Sequence, residues 1–337
     1  MEIIAYGVQA DEQPLLESAF AGRHTLRCLS LFLNRDTAPL AAGAPVVSSS
    51  VNAELDAEAL AVLAVGGTKL IAQRSTGFNN IDLDAAAELG LTVARVSSYS
   101  PYAVAEHAWA LALAVNRRLS RATTRSREFD FRLDGLLGRD IHGMTVGVLG
   151  TGKIGECFAR IAHGFGTRLL GWDLTPNPVC QQLGMSYVDR DELLMKSDLI
   201  SLHVPLVPAT HHLIDAAALT LMKDDAILVN TSRGGLLDST ALVEVLRAGR
   251  LTGVGLDVYE EETGVFFTDR SLRGVSDDVL ARLLTFPQVL VTSHQAYFTR
   301  TAIGQIIDAT VRNVEDFAAG RHSENTLVPK GPVAGGR

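Results

Sequence analysis

Three glycines in one short segment, Gly150, Gly152 and Gly155, have the spacing of a dinucleotide-binding turn. An apolar stretch precedes them and a helical pattern follows, so the turn would join a strand to a helix. The first glycine permits the sharp turn, the second lets a pyrophosphate approach the backbone, and the third lets the helix pack closely on the strand. Phosphate oxygens would then accept hydrogen bonds from the free N–H groups at the positive end of the helix dipole.

An acidic residue, Asp173, ends the next apolar run, TRLLGWD. In a dinucleotide-binding unit, a carboxylate at this place accepts hydrogen bonds from the adenosine ribose hydroxyls. Its negative charge also repels the additional phosphate of NADP. The turn and the carboxylate together predict that the chain binds NAD.

Polar and charged residues follow three further apolar runs, near the point where each predicted strand ends. Arg233 comes shortly after AILVN, Asp257 ends the run GVGLD with Glu260 to Glu262 behind it, and His294 follows VLVTS. In an open α/β sheet, ligands bind outside the carboxyl ends of the strands. We therefore expect Arg233, His294 and one of the three glutamates to converge, although they are far apart in sequence.

A permanent cation, an imidazole and a carboxylate beside a nicotinamide suit the reduction of a 2-oxo acid. The planar guanidinium of Arg233 can bind a substrate carboxylate and ketone oxygen as a fork, which lysine cannot do. The ketone oxygen gains negative charge as hydride arrives, and His294 can donate a proton to it near neutral pH. A neighbouring carboxylate favours the protonated imidazole and fixes its tautomer. The residues alone do not decide whether that carboxylate belongs to Glu260, Glu261 or Glu262.

The remaining histidines and the cysteines indicate no metal site. The three cysteines are widely separated and lack the spacing of metal ligands. A single histidine is more often structural or solvated than catalytic, so we expect no catalytic role for the histidines other than His294. We expect structural roles for His107, His142 and His163, a solvated loop for His211 and His212, and a backbone contact with the cofactor for His203.

The elements that position these residues follow from alternating strand and helix signals, which predict α/β domains with parallel sheets. Residues 1–96 alternate in this way, and the pattern resumes from 145 to about 293 with seven candidate strands. A helical pattern over 101–127 is apolar on most of its circumference as far as Val115, which predicts burial on more than one side. We expect this helix to connect the domains and to contribute to a subunit interface.

The predicted fold is two Rossmann-like or flavodoxin-like α/β domains with parallel sheets. A doubly wound NAD-binding domain, residues 100–299, would be inserted into a discontinuous substrate domain of residues 1–99 and 300–337. A final helix over 300–320 would return the chain to that substrate domain. The ligands of such an architecture are expected in the cleft between the domains.

Composition and charge limit the possible partners. The 337 residues suffice for about two domains, and the formal net charge of −8 argues against nucleic acid or an anionic membrane as a partner. No apolar run is long enough to span a membrane, and MEIIAYGVQADEQP does not resemble a signal peptide. An odd number of cysteines suggests reduced thiols in a cytoplasmic protein. The Gly- and Pro-rich tail KGPVAGGR is expected to be frayed.

Several long segments of the chain resemble those of the D-isomer-specific 2-hydroxyacid dehydrogenases, and the resemblance covers nearly the whole length. Within this family, the chain is most similar to the D-lactate branch. The segments that carry the resemblance are RSTGFNNIDLDAAAELGL, YSPYAVAEHAWALALAVNRR, HGMTVGVLGTGKIG, DLISLHVPL, ILVNTSRGGLLD, GLDVYEEE with the FFTDRS insertion, and VLVTSHQAYFT. Taken together they are highly specific for the family.

The resemblance implies a role for each matching residue. It places the catalytic arginine, glutamate and histidine at Arg233, Glu262 and His294. The backbone of Thr76 and Gly77 would hold the substrate carboxylate, and Tyr99 and Tyr297 would form aromatic walls of the substrate pocket. Cofactor contacts would come from the three glycines of the turn and from Lys153, Ile154, Asp173, Val204, Pro205, Thr210, Thr231, Ser232, Arg233 and Asp257.

The D-lactate branch implies reversible, NADH-dependent reduction of pyruvate to D-lactate, as in fermentation, by a homodimer or homotetramer. Two alternatives stay open. Ser97 and Ser98 replace a proline and an alanine of the lactate enzymes beside the pocket, and Tyr102 and Trp109 are bulky for the connecting helix, which favours a larger 2-oxo acid. The second alternative is an NAD-sensing binding protein similar to the co-repressors of the family, although the three catalytic groups argue against it.

Overall fold

The computed structural model describes residues 1–327, and the chain divides into two compact units. Unit 1 contains Met1–Ser100 together with residues 299–327, and unit 2 contains Pro101–Phe298. The tail KGPVAGGR, for which fraying is predicted, lies outside the described residues.

Unit 1 contains a six-stranded sheet. Its strands are β1 (Glu2–Ala5), β2 (Thr25–Cys28), β3 (Val46–Ser49), β4 (Leu70–Gln73), β5 (Thr92–Ala94) and β13 (Thr326–Leu327), and its helices are α1 (Gln13–Phe20), α2 (Ala57–Val65), α3 (Leu83–Glu88) and α12 (Arg300–Ala318). The strand order is β13-β5-β4-β3-β1-β2, and every pair is parallel except β13 with β5. β3 and β4 are buried along their whole length, as is usual for parallel strands covered on both faces.

Unit 2 contains a seven-stranded parallel sheet. Its strands are β6 (Thr145–Leu149), β7 (Arg168–Trp172), β8 (Ser186–Tyr187), β9 (Leu199–Leu202), β10 (Ile227–Asn230), β11 (Gly253–Leu256) and β12 (Val289–Val291). The helices are α4 (Pro101–Asn116), α5 (Leu119–Arg127), α6 (Lys153–Gly164), α7 (Pro178–Gln182), α8 (Arg190–Lys196), α9 (Ala216–Leu221), α10 (Ser239–Arg247) and α11 (Asp278–Leu283).

The strand order of unit 2, β12-β11-β10-β9-β6-β7-β8, reverses between β6 and β9. This reversal is the switch point of a doubly wound sheet, where ligands of such folds bind. The glycine-rich turn follows β6 directly and therefore lies at the switch point. All seven predicted strands of this unit are present, and the predicted fold class is confirmed.

The prediction of one continuous helix over 101–127 is wrong, because this segment forms two helices, α4 and α5. α4 ends at Asn116, and Arg118 adopts a left-handed backbone conformation with φ +53° before α5 begins. The sequence gives no sign of this break, because the residues RRLS that span it are compatible with a helix. Burial on more than one side of α4 is as predicted, since nine of its residues, from Ala103 to Asn116, are buried.

α12 is the predicted last helix, and Thr299 caps its N-terminus by accepting a hydrogen bond from the amide of Ala302. It packs against α1 and β4 within unit 1. Within residues 1–327, no helix is both long enough and apolar enough to cross a membrane.

Candidate active site

The glycine-rich turn has close backbone contacts at Gly150 and Gly155 and an open face at Gly152. Gly150 has φ +92°, and a Cβ added to it would lie 2.6 Å from the carbonyl oxygen of His203. A Cβ on Gly155 would lie 2.0 Å from the carbonyl oxygen of Gly150, which only a glycine avoids. Gly152 instead faces open space, and no side chain caps the α6 helix that starts after it. The turn therefore leaves free amides and room for a phosphate, so it fits the pyrophosphate of a dinucleotide.

Asp173 is joined to the turn. Its Oδ2 accepts hydrogen bonds from the amide of Thr151 at 2.6 Å and from the Thr151 hydroxyl at 3.1 Å. Tyr187 and Asn177 hold the same threonine, by a bond of 2.8 Å to its hydroxyl and one of 2.8 Å to its carbonyl oxygen. The Oδ1 of Asp173 has no hydrogen-bond partner between residues 1 and 327, so one carboxylate oxygen can accept bonds from a ribose. Lys153 and Ile154, at the start of α6, are exposed and half-buried.

The segment after β9 borders the turn. Burial lowers the pKa of the His203 imidazole to about 3, so its ring is neutral, and the ring lies 4.9 Å from that of Phe158. The carbonyl oxygen of Val204 accepts a bond of 2.6 Å from the Ser232 hydroxyl. The Thr210 hydroxyl donates to the carbonyl oxygen of Pro205 at 2.7 Å, so it stabilises this loop, and a cofactor contact by Thr210 stays a prediction.

Arg233 lies in a loop that the last residue of β10 organises. The side chain of Asn230 donates from Nδ2 to the carbonyl oxygen of Arg233 at 2.8 Å. Its Oδ1 accepts a hydrogen bond from the backbone amide of Ser232 at 3.0 Å. Arg233 Nη1 donates to the carbonyl oxygen of Ser232 at 2.6 Å, and no carboxylate in residues 1–327 forms an ion pair with it. The buried hydroxyl of Thr231 has no partner in the described part of the chain. Free donors of the guanidinium and this hydroxyl suit an anionic or polar ligand.

His294 and Glu262 form a hydrogen-bonded pair. His294 Nδ1 lies 2.7 Å from Glu262 Oε1, and the side chains are 13% and 19% exposed. Glu262 Oε2 accepts a bond of 3.2 Å from the amide of Tyr259, which fixes the carboxylate. Glu260 contacts His212 instead, and Glu261 is exposed. The partner of His294 is thus Glu262, the glutamate that the family resemblance implies and that the residues alone left open. The pairing of Nδ1 leaves Nε2 as the nitrogen that can face a substrate.

The backbone of His294 is itself strained. Its φ is +53°, a conformation that a residue with a side chain adopts only when its surroundings impose it. The amide of His294 donates to the carbonyl oxygen of Asp257 at 2.7 Å. The Asp257 carboxylate, fully buried, accepts bonds from the amides of Gln295 and Ala296 at 2.9 and 2.8 Å. Asp257 therefore holds the loop that carries His294.

Two further residues complete this support: His107, which has the structural role expected of it, and Thr292, for which no role was predicted. Thr292 donates to Asp257 Oδ1 at 2.5 Å, and His107 Nε2 lies 3.1 Å from the Thr292 hydroxyl and 3.4 Å from Asp257 Oδ1. Burial raises the pKa of the Asp257 carboxyl, but the hydrogen bonds from His107, Thr292 and the loop amides outweigh it and lower that pKa overall. A histidine on an otherwise apolar helix was the available signal. Protein groups already donate hydrogen bonds to both oxygens of Asp257. A contact between Asp257 and the cofactor stays a prediction.

The predicted substrate residues lie in both units. Thr76, Gly77 and Tyr99 belong to unit 1, and Tyr297 belongs to unit 2, with its ring 6.5 Å from that of His294. Arg95 Nη1 donates to the carbonyl oxygen of Thr76 at 2.7 Å. The amides of Thr76 and Gly77 have no acceptor in residues 1–327, so both are available to an anion.

One bulky residue thought to affect the substrate pocket has another role. Trp109 is buried in the core of unit 2, where its ring stacks 4.8 Å from that of Phe158 and its Nε1 donates to the Phe158 carbonyl oxygen at 3.1 Å. The size of Trp109 therefore says nothing about the substrate.

Comparisons with known proteins agree with this geometry. The family profile described as "D-isomer specific 2-hydroxyacid dehydrogenase, NAD binding domain" matches residues 109–296. The chain is 46% identical to 2-hydroxyacid dehydrogenase homolog 1 of Schizosaccharomyces pombe, over 97% of this chain and 99% of the relative. It is 43% identical to the D-lactate dehydrogenase of Escherichia coli, over 97% and 100%. A solved structure of the pyruvate reductase of Chlamydomonas reinhardtii matches with a TM-score of 0.92 and 41% identity, over 96% of this chain and 98% of that one.

Proposed function

Because the chain belongs to the D-isomer-specific 2-hydroxyacid dehydrogenase family, we propose that it catalyses the reversible reduction of pyruvate to D-lactate. Family membership makes it a dehydrogenase of D-2-hydroxy acids with NAD as cofactor. The choice of pyruvate is supported by similarity to proteins named D-lactate dehydrogenase and pyruvate reductase. The observation that carries the proposal is the 2.7 Å pair of His294 and Glu262, since an imidazole held by a carboxylate can act as a proton donor.

Each residue of the site has a distinct part in the proposed reaction. Bound NADH supplies the hydride. His294 donates the proton from Nε2 to the ketone oxygen, and Glu262 stabilises the imidazolium and keeps its orientation. Arg233 polarises the ketone and binds the substrate carboxylate, because its donors form a planar fork. We propose that the amides of Thr76 and Gly77, which have no acceptor within residues 1–327, also bind the substrate carboxylate, as the family resemblance implies. The proposed division remains a substrate domain of residues 1–99 and 300–337 and a cofactor domain of residues 100–299.

The proposal is tested by initial rates with NADH and a panel of 2-oxo acids: pyruvate, oxaloacetate, glyoxylate, phenylpyruvate and a branched-chain 2-oxo acid. We expect the highest kcat/KM with pyruvate. A higher value with phenylpyruvate or the branched-chain acid would contradict pyruvate as the substrate and favour a larger 2-oxo acid. The product of pyruvate reduction is then identified by its enantiomer, and L-lactate would contradict the proposal.

We propose further that the chain forms a homodimer or homotetramer. The segment after α5 exposes four large apolar side chains, at 84%, 72%, 82% and 90% of their area, in Phe129, Phe131, Leu133 and Leu137. Exposing so many apolar groups within nine residues is unfavourable unless a partner covers them. Because a subunit interface is predicted near α4, we infer that this partner is a second copy of the chain.

We assign the protein to the cytoplasm. Cys28, Cys157 and Cys180 are all free thiols, as is usual in a reducing compartment. Mass spectrometry of alkylated protein should show three reactive thiols after denaturation without a reductant, and a disulfide would contradict the assignment.

A further inference from the structure

We propose that His211, His212 and Glu260 bind a divalent transition-metal ion of the Zn²⁺ type. His211 and His212, expected to lie in a solvated loop, converge instead on Glu260. One ligand atom of each lies within 4.8 Å of the other two. The Nε2 atoms of His212 and His211 lie 2.5 and 3.9 Å from the same oxygen of Glu260.

The backbone holds the three ligands before any ion binds. His212 has φ +49°, and its amide donates to the carbonyl oxygen of Gly235 at 2.8 Å. On the other side, Gly234 packs so closely on the backbone of Tyr259 and Glu260 that a Cβ would lie 2.3 Å from the Glu260 amide nitrogen. The same short loop, at residues 234 and 235, therefore anchors both ligand segments, which lowers the entropic cost of bringing the ligands together.

The two imidazoles stack on each other. Their ring centroids are 4.0 Å apart with an interplanar angle of 25°, so both Nε2 atoms reach the same carboxylate. The His211 side chain is 56% exposed and can adjust its ring to complete the coordination, whereas His212 and Glu260 are 33% and 24% exposed. An exposed ligand also leaves the remaining coordination positions to water.

The ligand set decides the class of ion. Two neutral imidazoles with one carboxylate suit Zn²⁺, Co²⁺ and Ni²⁺, whereas Mg²⁺ and Ca²⁺ prefer oxygen ligands. A plain ion pair between Glu260 and a protonated His212 would involve only two of the three residues. Such an ion pair would not account for the position of His211, whose Nε2 lies 3.9 Å from the same oxygen of Glu260.

The test is a titration of the full chain, freed of metal with a chelator, with Zn²⁺ and with Co²⁺. The Cys28→Ser variant is the background, because Cys28 is the half-buried thiol and the other two cysteines are buried. We expect saturable binding of one ion, and Co²⁺ absorption bands without a thiolate charge-transfer band. His211→Ala and Glu260→Gln should each weaken binding by about tenfold or more. An excess of Mg²⁺ should not displace the ion.

His163→Ala is the matched control, because it removes an exposed histidine on α6. It should leave the dissociation constant unchanged, and circular dichroism should show that all variants are folded. The proposal is overturned if the wild-type chain shows no saturable binding. It is also overturned if His211→Ala binds as tightly as the background, which would mean a simple ion pair or another site. The readout is metal binding, so it is independent of the identity of the substrate.

Discussion

Hydrogen bonds within unit 2 fix the carboxylates of Asp173 and Asp257, and both residues bear on the proposed reaction. One oxygen of Asp173 accepts a hydrogen bond from Thr151 and the other has no partner within residues 1–327. Both oxygens of Asp257 accept hydrogen bonds from the loop that carries His294. The first is thus open to a ligand, whereas the second acts through the protein. The two residues should therefore respond to substitution in different ways.

Replacing Asp173 with serine should relax the discrimination against NADPH. The substitution removes the negative charge that repels the 2′-phosphate, and it also loosens Thr151 in the turn. We expect the ratio of kcat/KM for NADH to kcat/KM for NADPH to fall by about tenfold or more. Asp189→Ser, at an exposed cap without a side-chain bond, is the control and should keep the ratio. An unchanged ratio in Asp173→Ser would refute the ribose contact.

Replacing Asp257 with asparagine should lower the free energy of unfolding by about 1–3 kcal/mol at neutral pH, since an amide NH₂ would face the loop amide donors. The folded-state pKa of Asp257 lies below its ordinary value. Its carboxylate therefore stabilises the fold fully above about pH 4, and this contribution is lost as the pH falls through the folded-state pKa.

Urea denaturation at several pH values measures this effect. The difference between wild type and Asp257→Asn should be largest near neutral pH and should shrink in acid. Asp225→Asn, in an exposed ion pair with Arg139, is the control and should change the free energy of unfolding by less than about 1 kcal/mol. A difference that grows as the pH falls would contradict the role assigned to Asp257.

At the scale of elements, α4 lies on the sheet of unit 2 at a distance that glycines in β11 permit. A Cβ on Gly255 would lie 2.8 Å from the Cβ of Leu111. Gly255→Ala should therefore push α4 outward and lower the free energy of unfolding by about 1–3 kcal/mol. Gly164→Ala, where a Cβ meets nothing within 4 Å, should have little effect in the same unfolding experiment. Equal stabilities of the two variants would show that α4 adjusts without cost.

The sequence predicts the strands of unit 2 well because each is a short apolar run that ends in a polar residue. It does not predict the break at Arg118, which depends on a backbone conformation that arginine seldom adopts. It also does not predict the antiparallel β13, whose two residues are too few to form a pattern. The helix α1 is missing from the prediction, since its residues, QPLLESAF, give too short an apolar stripe.

The site shows the same limit of sequence reasoning. The strand ends that carry Arg233, Asp257 and His294 follow from the topology of a parallel sheet. The choice of Glu262 over its two neighbours depends on how the chain turns after Tyr259, so the residues alone left it open. The contact of His212 with Glu260 depends on a left-handed residue in a loop, which no spacing rule predicts.

At the scale of the whole molecule, self-association should depend on the apolar segment after α5. Replacing Phe131 and Leu137 with aspartate would place charges in the proposed interface, where they cannot stay hydrated. We expect the mass in solution, measured by light scattering on a sizing column, to fall to that of a single chain. Leu272→Asp, at a side chain that is 98% exposed elsewhere, is the control and should keep the oligomer. An unchanged mass in the double variant would place the interface elsewhere.

The most direct test of the proposed mechanism is the His294→Ala variant, measured for NADH binding by fluorescence and for pyruvate reduction by single-turnover kinetics. If His294 donates the proton, reduction should slow by about 10²–10⁴-fold while the affinity for NADH stays the same. His142→Ala, at an exposed histidine, should change neither quantity. Reduction by His294→Ala at the wild-type rate would contradict the account.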